Sequence, residues 1–128
     1  MNKLFLVVLG SGLGGGARYL VSTWVLGRLG PGFPWGTLTV NVLGSFLLGV
    51  VMQVSLSTEA ISPEVRLLLT TGFMGGFTTY STFNYETLRL FQDGNWSVAL
   101  INSTTTFVSC LVAGFFGVAV TRLAVGSS

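Results

Sequence analysis

Long stretches without charge constrain the fold of this chain more than any other feature of its sequence. Only 8% of its 128 residues are charged, whereas a soluble globular domain carries about 25%. A helix that crosses a bilayer needs about 20 predominantly apolar residues, and several uncharged stretches reach that length. The sequence therefore predicts an all-α integral membrane protein.

Clusters of glycine and proline divide the chain into predicted spans. The first stretch ends in the Gly/Pro-rich residues 27–34, and Pro63 begins the third. The apolar runs are continuous rather than alternating, which argues against a β-barrel. The first run is long enough to span, so we expect it not to be a cleaved signal peptide. Residues 1–128 are predicted to form one transmembrane domain of four helices, at about 4–26, 36–56, 63–91 and 96–123.

The basic residues give almost no signal for orientation. Short loops place both ends of the chain on one side of the membrane. That side holds Lys3, Arg66 and Arg122, and the other holds Arg28 and Arg89, with Arg18 lying toward it. Since an excess of Lys and Arg normally selects the cytoplasmic side, two readings stay open. A weak bias still orients the protein, or the chain inserts both ways and forms an antiparallel dimer.

The sequence offers little for catalysis. It has no histidine and one cysteine, Cys110, which excludes a disulfide framework and a His/Cys metal centre within one chain. It also lacks closely paired carboxylates and a nucleophile–base set. The net charge of +2 is small and dispersed, so we expect neither an enzyme nor a nucleic-acid-binding protein.

Arg18, Asn41 and Glu86 are the first polar residues of the predicted spans to consider. Arg18 lies in the first span and Glu86 in the later part of the third. Charges at membrane depth usually mark a pathway or a pair, although Arg18 could also extend to the interface. The Asn41 amide offers two donors and an acceptor, which could serve a solute or hold helices together.

The fourth span carries a row of hydroxyl and amide groups. Asn102, Thr106 and Ser109 are four and three residues apart, which places them on one helix face. Their hydroxyls could instead bond to the preceding turn. Donors without nearby acids favour an anion over a cation as the solute.

The third span contains TTGFMGGFTTYSTF, residues 70–83. Gly75 and Gly76 adjoin Thr78 and Thr79 in the middle of the span, and this composition weakens a helix. A break at membrane depth would free carbonyls that could bind an ion. Tyr80 and Phe83 lie three residues apart, where their electropositive ring edges could meet an anion or simply pack.

Together these segments resemble the Fluc family of fluoride channels, also called CrcB. The segments that carry the resemblance are GSGLGGGARYL at 10–20, GTLTVN at 36–41 and TTGFMGGFTTYSTF at 70–83. The resemblance covers nearly the whole chain and implies a multi-pass protein of the bacterial plasma (inner) membrane. It also implies an antiparallel, dual-topology homodimer with two fluoride pores and a third helix broken near the bilayer midplane.

The resemblance also implies roles for individual residues. A sodium ion at the dimer centre would be held by the backbone carbonyls of Gly75 and Thr78. The "box" aromatics fall on Tyr80, which is a tyrosine here instead of phenylalanine, and Phe83. The other implied pore residues are Asn41, Ser81, Thr82, Thr106 and Ser109, with Arg18 and Glu86 toward the mouth.

We therefore predict a passive fluoride channel that lowers cytoplasmic fluoride. The alternative is a small dual-topology multidrug exporter, which would need an acid in its first helix, where this chain has Arg18. A purely structural or regulatory membrane subunit is a third class. The glycine pairs Gly10/Gly14 and Gly12/Gly16 would suit it, since such pairs allow close helix packing.

Overall fold

The computed structural model describes residues 2–126, which contain helices and no strand. Three helices are long and apolar enough to cross a membrane. The helices are α1 (Lys3–Leu29), α2 (Trp35–Ser57), α3 (Pro63–Leu67), a π-helix (Leu68–Met74), α4 (Gly75–Phe77), α5 (Tyr80–Gln92) and α6 (Trp96–Val125).

Local sequence explains where the helices begin and end. The Asn2 side chain caps α1 by accepting a hydrogen bond from the Leu4 N–H, at 2.7 Å. Gly30 ends that helix with a φ of 83°, a value that glycine adopts readily. Ser62 caps α3, and Pro63 occupies its first turn, where a missing N–H costs nothing. The predicted boundaries agree with these ends to within a few residues.

The predicted third span is an interrupted segment rather than one helix. It passes from α3 through the π-helix to α4, becomes extended at Thr78 and Thr79, and resumes as α5. The break was predicted from Gly75 and Gly76 together with Thr78 and Thr79, and it falls on the two threonines, whereas both glycines are helical. The π-helix was not predicted.

Glycines allow two pairs of helices to approach closely. A Cβ on Gly14 would overlap the Phe73 carbonyl oxygen, and one on Gly76 would overlap the Ser11 carbonyl oxygen. On the other side of the molecule, a Cβ on Gly49 would lie 2.6 Å from the Gly114 carbonyl oxygen. These contacts seat the third segment against α1 and α2 against α6, as small residues do in membranes.

The surface is as apolar as the interior. Leu13, Leu111 and Phe115 are more than half exposed, whereas Asn41 and Asn102 are buried. In water this distribution would be inverted, because apolar side chains favour the interior. A hydrocarbon surround accounts for it, since lipid tails are as apolar as leucine.

Candidate functional site

A groove of about 1000 Å³ runs along one face of the molecule. It is bordered by α2, the π-helix, the break, α5 and α6. Its lining contains hydroxyl, amide and aromatic side chains and no charged residue. Six of the predicted site residues line it, namely Asn41, Gly75, Thr78, Tyr80, Phe83 and Thr106.

Asn41 bridges the break in the third segment. Its Nδ2 donates to the Thr79 carbonyl at 3.0 Å, and its Oδ1 accepts from the Thr79 N–H at 2.8 Å. The side chain is buried, so both bonds satisfy backbone groups that would otherwise lack partners. An amide has two N–H donors, and one therefore remains beyond the Thr79 bond.

At the break, two backbone carbonyls lose the N–H donors that a continuous helix would give them. In a continuous α-helix the N–H of residue 79 would donate to the carbonyl of Gly75, and that of residue 82 to Thr78. Here the Thr79 N–H donates to Asn41, and the Thr82 N–H donates to the Thr79 hydroxyl at 3.1 Å. Gly75 and Thr78 are the two residues whose carbonyls were predicted to hold a sodium ion, and both carbonyls lose their helical donor.

Arg18 satisfies a third carbonyl at the same place. Its Nε donates to the Gly76 carbonyl at 2.9 Å, which in a continuous helix would accept from Tyr80. The guanidinium is therefore fixed against the break from the α1 side, and it does not line the groove. Arg18 and Asn41 together hold the break from its two sides.

The two predicted aromatic residues form a pair on α5. The rings of Tyr80 and Phe83 are 5.7 Å apart between centroids and inclined at 57°, a tilted arrangement that presents ring edges. Tyr80 is 77% exposed, and both rings border the groove. The pair therefore lies at the open side of the groove.

The three polar residues predicted to share a face of α6, Asn102, Thr106 and Ser109, lie in different surroundings. Asn102 is buried and donates to the Thr87 hydroxyl at 2.9 Å. The Thr106 hydroxyl lines the groove and lies 3.4 Å from the Asn102 Oδ1. The Ser109 hydroxyl donates to the Thr105 carbonyl instead and does not line the groove.

Ser81, Thr82 and Glu86 also lie outside the groove lining. Ser81 and Thr82 both contact the Thr79 hydroxyl, at 3.4 and 3.1 Å. They form a hydroxyl cluster at the start of α5. The Glu86 Oε1 is buried and has no hydrogen-bond partner among the residues described, and Thr37 lies beside the carboxyl group.

Several groove residues were not predicted from the sequence. Among them are Ser45 on α2, Thr79 at the break, Asn84 on α5, and Ser103 and Cys110 on α6. Ser103, Thr106 and Cys110 are three and four residues apart, so helical spacing alone could have grouped them. Thr79 was predicted as part of the weak stretch of the third span, but its place in the groove depends on the contact with Asn41.

Comparison with known proteins gives the same family as the sequence motifs. The family profile described as "CrcB-like protein, Camphor Resistance (CrcB)" matches residues 5–118. A protein of Anaeromyxobacter sp. (strain K), named "Fluoride-specific ion channel FluC", is 53% identical over 126 residues, covering 98% of this chain and 100% of that protein.

Two further relatives carry the same name. The protein of Sorangium cellulosum (strain So ce56) is 51% identical over 95% of this chain and 96% of its own length. That of Geobacter metallireducens is 46% identical over 95% of this chain and 98% of its own length. The match extends over almost the full length of each protein, and the chain belongs to the CrcB family of membrane proteins.

Proposed function

We propose that this chain is a passive, fluoride-selective channel of the bacterial inner membrane that releases fluoride from the cytoplasm. One observation carries the proposal: the polar groups of the groove are amides and hydroxyls set among aromatic and aliphatic side chains, without a single carboxylate. Relatives matching the whole chain are named fluoride-specific ion channels, which supports fluoride as the solute.

The lining suits a small, strongly hydrated anion. A pore must replace the water around fluoride with donors, because burying even a neutral polar group without a partner costs about 2–7 kcal/mol and burying an unpaired ion costs far more. The second N–H of Asn41, the Thr106 hydroxyl and the ring edge of Phe83 are candidate donors. To donate to the ion, the Thr106 hydroxyl would give up its hydrogen bond to Asn102. Losing that bond costs about 1 kcal/mol, the net contribution of a typical hydrogen bond.

The route of the ion beyond the groove involves the hydroxyls at the start of α5. The Thr79 hydroxyl donates to the Thr82 hydroxyl at 3.1 Å, so the Thr82 hydroxyl can keep that bond and donate its own proton to an ion. Glu86 and Ser109 would lie nearer the ends of the path. Arg18, held at the Gly76 carbonyl, would add a positive field without contacting the ion.

The groove is open on one side, which supports assembly with a second copy. Tyr80 is largely exposed at its edge, and a single chain offers no second wall opposite the donors. An antiparallel, dual-topology homodimer would close two such grooves and give two pores. Accessibility of a terminal tag from each side of intact cells tests it, and tags confined to one side would contradict it.

The break fits a sodium ion held by backbone oxygens at the dimer centre. The Gly75 and Thr78 carbonyls have lost their helical donors, and both residues line the open face. Carbonyl oxygens are suitable ligands for hard cations. Within residues 2–126 no cluster of acidic, histidine or cysteine side chains could hold a metal, so the ligands would come from the backbone. The ion would supply a fixed positive charge between the subunits.

A multidrug exporter is not favoured. Such a protein binds cations through an acid in its first helix, whereas α1 carries Arg18 hydrogen-bonded to the backbone. A structural subunit would not need hydroxyl and amide groups along an uncharged groove. Neither alternative accounts for relatives named as fluoride-specific channels.

Fluoride efflux from liposomes tests the proposal. Purified protein is reconstituted in vesicles loaded with potassium fluoride, and efflux is followed with a fluoride electrode after valinomycin releases the counter-charge. A parallel set of vesicles is loaded with potassium chloride. We expect rapid fluoride release and chloride release no faster than from protein-free vesicles. Equal passage of both anions would refute a fluoride-selective channel.

A further inference from the structure

A second cleft lies at the end of the molecule where α1 begins. Its volume is about 490 Å³, within the range of about 300–1,000 Å³ that is typical of small-molecule sites. Lys3 and Arg66 lie on its border, and Met52, Pro63 and Leu67 form its apolar part. The proposed fluoride path uses none of these five residues.

The charges of this cleft are not neutralised within the chain. Among residues 2–126, neither Lys3 nor Arg66 forms a hydrogen bond or an ion pair through its side chain. Glu64 also borders the cleft, but it too lies in no ion pair among those residues. The cleft therefore combines two unpaired cations, one carboxylate and an apolar wall, and its net charge is positive.

Its position in the fold matches the boundary between lipid and water. Lys3 is the first residue of α1, and Arg66 lies in the last turn of α3. The 27 residues of α1 extend about 40 Å, more than the roughly 30 Å hydrocarbon core. The first residue of such a helix reaches the headgroup region. Basic pockets between membrane helices are suited to anionic headgroups there.

We propose that this cleft binds an anionic phospholipid. The phosphate would lie between Lys3 and Arg66, and the glycerol and upper acyl chain would cover Met52, Pro63 and Leu67. The recognised group is a phosphate anion, and the apolar wall selects a lipid over free phosphate. The proposal does not depend on fluoride conduction.

Native mass spectrometry of the purified full-length protein, titrated with phosphatidylglycerol or phosphatidylcholine, tests this proposal. The wild type should retain phosphatidylglycerol at lower concentrations than phosphatidylcholine. Lys3→Gln or Arg66→Gln should weaken phosphatidylglycerol binding about 5-fold each, and the double variant about 30-fold. The matched control Arg28→Gln/Arg122→Gln removes the same charge outside the cleft and should stay within about 2-fold.

Two further arms separate the possible sources of the anion. Excess inorganic phosphate should displace phosphatidylglycerol only weakly, and Met52→Ala should weaken lipid binding without changing competition by phosphate. Full displacement by inorganic phosphate would identify a free-anion site and overturn the proposal. Equal weakening in the cleft and control double variants would also overturn it, since general charge would then explain the binding. Unchanged circular dichroism of each variant excludes misfolding as the cause.

Discussion

Asn41 holds the break through Thr79, and we propose that it also donates to fluoride. Comparing a substitution at Asn41 with the same substitution at Asn84 tests the first role. Asp at this position keeps an acceptor for the Thr79 N–H but loses the donor to the Thr79 carbonyl. It also places a negative charge where an anion would pass. We expect Asn41→Asp to lower the free energy of unfolding by about 1–3 kcal/mol. Fluoride efflux in the liposome assay should fall at least about 10-fold, because each 1.4 kcal/mol of barrier is tenfold in rate.

Asn84→Asp is the matched control for Asn41→Asp. Asn84 lines the same groove but is exposed, so the same chemical change there removes no support from the break. Its thermal midpoint in detergent should stay near that of the wild type. If both variants lost the same stability, the two bonds to Thr79 would not be what holds the break.

Phe83 and Tyr80 allow the aromatic contribution to be tested at nearly constant volume. Phe83→Ile removes the ring edge, and we expect fluoride efflux to slow by about 2- to 10-fold if that edge contributes the roughly 0.5–1.5 kcal/mol of an aromatic contact. Tyr80→Phe keeps the ring and should stay within about 2-fold. Size-exclusion chromatography checks that both variants assemble alike. Normal efflux by Phe83→Ile would remove the ring from the proposed path.

The chemical types of these site residues could be predicted from the sequence, but their partners could not. An asparagine and a threonine row inside apolar spans indicate hydrogen bonding at depth. Nothing in the spacing shows that Asn41 pairs with Thr79, 38 residues away. For the same reason Ser109 was grouped with Thr106, although its hydroxyl bonds to its own helix.

At the scale of the elements, α1 carries two interleaved glycine pairs that face different surroundings. A Cβ on Gly14 would overlap the backbone at Phe73, whereas one on Gly12 has no neighbour within 4 Å. Gly14→Ala should therefore destabilise the fold by about 1–3 kcal/mol, because the backbone of the third segment must shift. Gly12→Ala should be neutral or stabilising by up to about 1 kcal/mol, since alanine favours a helix.

Thermal midpoints of the two variants in detergent, measured by circular dichroism, give this comparison directly. The substitution, the helix and the predicted membrane environment are the same in both, so the difference reports the packing of α1 on the third segment. Equal midpoints would show that this close approach does not exist in solution.

The behaviour of glycine also explains why the fold was predicted only in part. Helix ends followed from glycine, proline and capping residues, which act locally. The break was predicted too, but its exact position was not, because the glycines and the threonines that follow them were judged by propensity without knowledge of their contacts. Gly76 is helical and lies against α1, and the extended residues fall where Asn41 and the Thr79 hydroxyl replace the lost helical bonds. Tertiary contacts therefore decided the position of the break.

At the scale of the whole molecule, lipid suits the apolar surface, whereas the open groove requires polar partners at the break. An apolar helix face such as that of Leu111 and Phe115 is satisfied by lipid alone. The break is different, because carbonyls without donors are costly in hydrocarbon. A bound cation and a second chain would provide partners for these carbonyls, and the Gly75 carbonyl is one of them.

Alanine substitutions at Gly75 and Gly76 test assembly, because only the one at Gly76 would clash within the chain itself. A Cβ on Gly75 would meet only the Thr70 carbonyl oxygen at 3.9 Å, an ordinary contact, whereas one on Gly76 would overlap the Ser11 carbonyl oxygen. Gly76→Ala should therefore impair the fold of the chain itself. Gly75→Ala should leave the helical signal intact but weaken the dimer and abolish any rise in thermal midpoint when sodium replaces N-methylglucamine. A Gly75→Ala protein with wild-type dimerisation and sodium response would place the subunit contact elsewhere, because among residues 2–126 the new methyl group would make no contact closer than 3.9 Å.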